Sequence, residues 1–369
     1  MAVSRTVRVA IGAPLAAVVL VAGFLLFHGD FQRWRDNAAL DAACGGLLDR
    51  DAVRAVLGGG QVDVDTRDGG LAHCRVSIAG SAEITVDDTT RAGGPEFGGY
   101  FGHANGATLP VPVGHGWSGL FWTGARESRP ARVPTGDAEA GVALLLRCAG
   151  SGPTKSLSVT VTSELPGTLD DPANRPAYAR IATTTAAKAA KARDCDTRLG
   201  GPVRSLDLPV LRDDEYEPLR TASGTCAGVP GTRTLTRATE TARSGAPYEV
   251  CALSGAGAER SVLTASFGTY AQQRFAEYAR SYEDEGDVPD PDRPARLRGS
   301  VRGSTWTTAK CPDGQALFEL SSSYDRSTKK PSTDPAELSA ERAALTAFAA
   351  RSAKAHGCEP PHAIPNTKR

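Results

Sequence analysis

The sequence predicts an α+β protein: an N-terminal transmembrane helix followed by two tandem antiparallel-sheet-plus-helix domains with disulfides. Three observations lead there. Val9 to Phe27 is a run of 19 residues without a charge. All eight cysteines lie after that run. Two pairs of them share one spacing: Cys148 to Cys195 is 47 residues, and Cys311 to Cys358 is 47 residues.

The apolar run comes first. At about 1.5 Å per residue, a helix of this length reaches across a hydrocarbon core of ~30 Å. Arg5 and Arg8 precede it, and Phe27, Phe31 and Trp34 follow at the depth where aromatic rings favour the interface. A cleaved signal peptide has a shorter apolar core and a small-residue cleavage site. The end of this run, Phe24-Leu25-Leu26-Phe27-His28, offers no such site, and Cys44 is too far downstream for lipid attachment. Arg33 and Arg35 follow the run, beside Asp30 and Asp36, so basic residues alone do not orient it. The cysteines do. An even number, all after the run, suits an oxidising compartment outside the cytoplasm. The expected layout is a cytoplasmic tail at 1–8, the span at 9–27 and a juxtamembrane segment at 28–40. Two extracytoplasmic domains follow at 41–195 and 196–358, then a tail at 359–369. The expected localisation is the cell membrane, single-pass, with the membrane as a partner through the N-terminal helix.

The two domains read as a duplication. The cysteine pairs are offset by 163 residues, and other matches fall at the same offset. Asp171-Pro172-Ala173 matches Asp334-Pro335-Ala336, Lys191 matches Lys354, and Ala186-Ala187 matches Ala349-Ala350. Each copy shows strand-like segments, Val142 to Cys148 and Ser156 to Thr162, then Thr305 to Cys311 and Gln315 to Ser322. An Ala-rich helix follows in each and ends just before a Cys. In the second copy Asp334 can cap it, Pro335 suits the first turn, and Glu337 completes a capping-box spacing. Leu338, Leu345 and Phe348 share one face of that helix. In the first copy Pro176 is expected to delay the helix start, and Tyr178 and Ile181 supply part of its buried face. The expected bridges are Cys44–Cys74, Cys148–Cys195, Cys226–Cys251 and Cys311–Cys358. A rival stays open: Cys195 to Cys226 repeats the spacing of Cys44 to Cys74 to within one residue, so Cys195 could open the second unit instead.

The opening of the first domain resembles a known family. Cys44-Gly-Gly-Leu47-Leu48, then Val53, then Val56-Leu57-Gly58, then Cys74, is similar to small actinobacterial envelope lipoprotein domains of unknown function. Asp49 fits as the cap of a short helix, and Gly58-Gly59-Gly60 as its stop. Gly224-Thr-Cys226, Tyr248-Glu-Val-Cys251, Thr308-Ala-Lys-Cys311 and His356-Gly-Cys358 carry the likeness into the second domain. The resemblance implies an envelope location and this fold. It implies no activity.

Composition excludes some classes of function. Formal net charge is zero, and no long Lys/Arg block is present, so nucleic acid is not an expected partner. The acidic run Glu283, Asp284, Glu285, Asp287 lies among prolines and lacks calcium-loop spacing. Six histidines show no H-x-x-x-H pair, so no metal is expected. Thr154 before Lys155 breaks a phosphate-loop reading, and no Cys-x-x-Cys is present. No cofactor is expected. Gly114-His115-Gly116-Trp117-Ser118-Gly119 invites a hydrolase reading, with Ser118 served by His103 or His115. The Gly spacing is wrong for a nucleophile elbow, and a loop anchored by Trp117 fits better. Tyr270, Phe275, Tyr278 and Tyr282 place an aromatic stripe on a helix, read first as core and second as a partner surface. The expected function is non-catalytic binding, sensing or scaffolding in the cell envelope, toward an unknown envelope protein or ligand. The alternative is an envelope hydrolase with a Ser/His site.

Overall fold

The structure, a computed structural model, describes residues 23–24, 32–57, 61–66, 74–77, 81–88, 108–124, 139–149, 156–164, 172–207, 210–211, 216–232, 234–243, 245–255, 260–281, 288–298, 304–323 and 335–365. A helix at 32–42 (α1) runs into a 3₁₀ turn, Ala43–Gly46. Helix α2, Arg50–Leu57, follows. Asp49 caps it: its carboxylate accepts the Ala52 N–H at 2.8 Å. Val53 and Leu57 are the buried side of α2.

The first sheet takes β1 (Asp63–Thr66), β2 (Cys74–Ser77), β3 (Ser81–Asp88), β5 (Val111–Pro112), β6 (Gly119–Gly124), β7 (Glu139–Arg147) and β8 (Ser156–Glu164). Its spatial order is β1-β2-β3-β8-β7-β6-β5, and every pair is antiparallel. Helix α3, Asn174–Ala192, packs on one face. It begins ahead of Pro176, contrary to expectation. A proline in the first turn forfeits an N–H that has no helical partner there, so the start need not move. Tyr178 and Ile181 are fully buried, and the Tyr178 hydroxyl lies 2.8 Å from the Ala140 carbonyl oxygen that accepts its proton.

The second sheet takes β10 (Glu217–Pro218), β11 (Leu235–Glu240), β12 (Tyr248–Gly255), β13 (Arg260–Ser266), β14 (Ala295–Arg296), β15 (Thr305–Cys311) and β16 (Gly314–Ser323). Its order is β10-β11-β12-β13-β16-β15-β14, again antiparallel. The duplication is therefore visible in topology. β1-β2-β3-β8-β7-β6 corresponds to β11-β12-β13-β16-β15-β14. The first copy adds β5 at one edge, and the second adds β10 at the other.

Helix α5, Pro335–Ala355, covers one face of the second sheet. Leu345 and Phe348 meet Phe318, Leu320 and Leu263, and buried Ala344, Ala349 and Ala353 let the helix lie close. Helix α4, Thr269–Ser281, covers the other face. Its Ala271, Phe275 and Tyr278 pack with Leu317 and Trp306. Leu317 and Phe318 alternate on one strand, which sets the two helices on opposite sides. Helix α4 also lies against β8 of the first sheet. The layers thus run α3, first sheet, α4, second sheet, α5.

The bridges join Cys44–Cys74, Cys148–Cys195, Cys226–Cys251 and Cys311–Cys358. No cysteine is left free, and such a framework fits an oxidising compartment. The border between the units lies later than Cys195. Val203 and Leu206 are buried in the first core. β9 (Val210–Leu211) pairs with β4 (Thr108–Leu109). The Trp117 indole donates to the Gly201 carbonyl at 2.8 Å. These contacts hold Gly201, Val203, Leu206 and β9 on the first unit.

The expected transmembrane helix requires correction. Among the described residues no helix is long and apolar enough to cross a membrane. A span needs about 20 predominantly apolar residues. Helices α3 and α5 have the length, but α3 carries Arg175, Arg180, Lys188 and Lys191, and α5 carries Glu337, Glu341, Arg342, Arg351 and Lys354. Of the run 9–27 only Gly23 and Phe24 are described; the rest lies outside the described residues. The fold class is α+β with two sheet-and-helix units. The single-pass placement and the membrane as a partner are corrected with it.

Candidate functional site

The chemistry-bearing side chains gather where the two units meet. Arg147 ends β7, at the close of the apolar run Val142 to Leu146. Its Nε donates to Asp313 Oδ2 at 3.1 Å. Its Nη1 donates to the His356 carbonyl at 3.3 Å, and its Nη2 faces His356 Nδ1 at 3.0 Å. His356 lies in the turn after α5. Its Nε2 lies 3.1 Å from Glu249 Oε1 on β12. Ser352, one turn back on α5, donates to Glu249 Oε2 at 2.7 Å. The imidazole stacks on Phe267, with centroids 3.5 Å apart and planes at 7°. His356, Glu249, Asp313 and Ser352 are all buried, and Arg147 is partly exposed.

The seam is tight at Gly268, whose φ is +54°. A Cβ there would sit 2.8 Å from Leu145 Cδ2 and 3.0 Å from Asp313 Oδ2. Only glycine suits both that conformation and that approach. Beside it, Tyr270 of α4, with Tyr248 and Ala246, packs on Leu120, Trp122 and Ala143 of the first sheet. Burial pushes the Tyr270 phenol well above its ordinary range. The stripe read first as core is buried inside the chain at Tyr270, Phe275 and Tyr278. Phe275 and Tyr278 serve the second core, and the surface that Tyr270 meets belongs to the first unit. Tyr282 lies outside the described residues.

A second polar cluster pins α4 to its own sheet. The Tyr278 hydroxyl donates to Glu319. Arg274 donates to Glu277 at 2.8 Å and to the Tyr278 oxygen at 2.8 Å. Burial acts to lower the Arg274 guanidinium, but Glu319, Tyr278, Tyr248 and Glu277 together hold it above its ordinary value.

The order at the seam is Arg147, His356, Glu249, Ser352. In a nucleophile–base–acid array the imidazole stands between hydroxyl and carboxylate. Here the carboxylate stands between imidazole and hydroxyl, so His356 cannot take the Ser352 proton. Ser118 and His115 make no such pair either. Ser118 donates to the Gly245 carbonyl at 3.0 Å, across the seam. His115 has Nδ1 3.1 Å from the Val113 carbonyl oxygen and receives the Arg204 N–H at Nε2, 3.3 Å away. His103 lies outside the described residues, as do Asp334, Lys155 and the acidic run Glu283 to Asp287. Among the described residues no group of three metal-ligating side chains forms.

Sequence reasoning passed over Arg147, Glu249 and Asp313. A signal existed for Glu249: one acid inside Tyr248-Glu249-Val250-Cys251, a strand segment ending on a bridged cysteine. A charge on such a strand is buried with a partner or points outward.

No family model matches the chain, and no curated protein matches it. Two solved structures show a distant likeness. DynU16, a protein of the dynemicin biosynthetic locus, is 14% identical, with 84% of this chain and 93% of that chain covered and a TM-score of 0.14. The di-domain ARO/CYC StfQ from the steffimycin biosynthetic pathway is 11% identical, with 65% and 83% covered and a TM-score of 0.15. Scores this low carry no argument about fold or function.

Proposed function

We propose that this chain is a non-catalytic binding or scaffold protein, acting in an oxidising compartment, whose two related units work as one body. The observation behind this reading is how the reactive groups are spent. His356, Glu249, Ser352, Asp313 and Arg147 are committed to one another across the seam. Ser118 is committed to a backbone carbonyl. Groups that hold two sheets and helix α5 in register are not available to polarise a substrate. The likeness to envelope lipoprotein domains supports the compartment.

The test has two arms. A fluorophosphonate probe is applied to the folded protein, and its peptides are mapped by mass spectrometry. No adduct is expected at Ser118 or Ser352; an adduct at either would replace this reading with a hydrolase. In-cell crosslinking of the tagged full-length protein then asks for a reproducible partner on one face. Absence of any such partner would remove the scaffold reading.

A further inference from the structure

We propose that the seam between the units is a proton-operated latch, with His356 as the moving charge. The inference is independent of what the protein binds. Arg147 Nη2 can only donate, so the Nδ1 it faces at 3.0 Å must accept. The ring proton then lies on Nε2, toward Glu249 Oε1. A second proton, taken from solvent at Nδ1, turns that acceptor into a donor aimed at a guanidinium. The hydrogen bond is lost, and two cations stand at hydrogen-bond distance. Glu249 and the face of Phe267 accommodate the imidazolium, and both belong to the second unit. Protonation therefore sets His356 against the first unit and toward its own. The charged groups facing this site are Arg147 from β7, Glu249 from β12 and Asp313 from the β15–β16 turn. Arg351 on α5 itself interacts with Glu249. Asp313 keeps its hold on Arg147, so the latch loosens without the unit being cast off.

A second observation points the same way. Ser156 Oγ, Ser158 Oγ and Thr160 Oγ1 on β8 are buried without a hydrogen-bond partner, and so are Asp313 Oδ1 and Thr269 Oγ1 on the second unit. Ser156 pairs with Arg147, and Ser158 with Leu145, which the Gly268 backbone approaches. Both walls of the closed seam thus carry polar atoms that entering water would satisfy. The Arg147 contacts hold it shut against that pull.

Amide hydrogen exchange of the full chain tests the latch, read at about pH 7.5 and about pH 5.5, where histidines change charge. Rates are corrected for intrinsic exchange. Peptides of β8 and α4 are expected to open about tenfold more at the lower pH, with β12 and β13 unchanged. In His356→Asn, whose amide oxygen can accept from Arg147 and does not titrate, the pH response should vanish. A wild type that does not respond, or a His356→Asn protein that responds like wild type, overturns the proposal. If that variant fails to fold, Arg147→Gln keeps His356 and removes the opposing charge. Its response should vanish too, and persistence would be equally fatal.

Discussion

Arg298 shows how one residue can fasten an element. Its φ is +46°, and it is buried. Its guanidinium grips Glu341 of α5 through Nε at 2.8 Å and Nη2 at 2.6 Å, and reaches Glu337 at 3.1 Å. The planar fork matches the carboxylate, which a lysine would not do. Arg298→Ala strands a buried carboxylate and is expected to cost about 3–5 kcal/mol in urea unfolding. Replacing Arg298 and Glu341 together by Met should recover most of it, because no charge is then left alone. A single-variant loss below about 1 kcal/mol would refute the account. Glu337 was legible only by spacing, as part of a capping box. The Arg298 guanidinium engages it, and Arg298 lies too far away in sequence for any local pattern to announce it.

Helices and strands were more legible than their partners. The equal cysteine intervals pointed to the duplicated helices because a bridge ties a helix end to a strand end at a set chain distance. That equality gives a test. Removing Cys148–Cys195 or Cys311–Cys358 by double Ala substitution opens a loop of the same length, 47 residues in each case. Each removal should cost about 2–4 kcal/mol, and the two should agree closely. A gap above about 2 kcal/mol between them would mean that native packing, not chain entropy, sets the cost. The apolar strand Val142 to Leu146 held a further message. A continuous run, unlike an alternating one, belongs to a strand covered on both faces. The helix after it covers one face, and nothing nearby in sequence identifies α4 as the cover of the other. The transmembrane expectation rested on the apolar run 9–27 and its flanking residues, whereas the described long helices bury their apolar faces on sheets.

At the scale of the whole molecule, the seam decides how the protein unfolds. Arg147 reaches Asp313 and His356, Ser118 reaches Gly245, and Tyr270 fills the first sheet's outer face. Calorimetry of the full chain is expected to show one transition, since opening either unit exposes apolar surface of the other. Arg147→Ala should broaden or divide that transition, and two resolved peaks in the wild type would contradict the account. None of these contacts was legible beforehand, because a seam joins residues distant in sequence by shape and charge, without a period. The shared helix has a last implication, at the level of descent. A duplicated gene can usually shed its spare copy. Here the first copy borrows its roof from the second, so a deletion that removes the second would leave Leu120, Trp122 and Ala143 facing water. Shortening such a chain to a single unit would therefore cost more than altering or lengthening it.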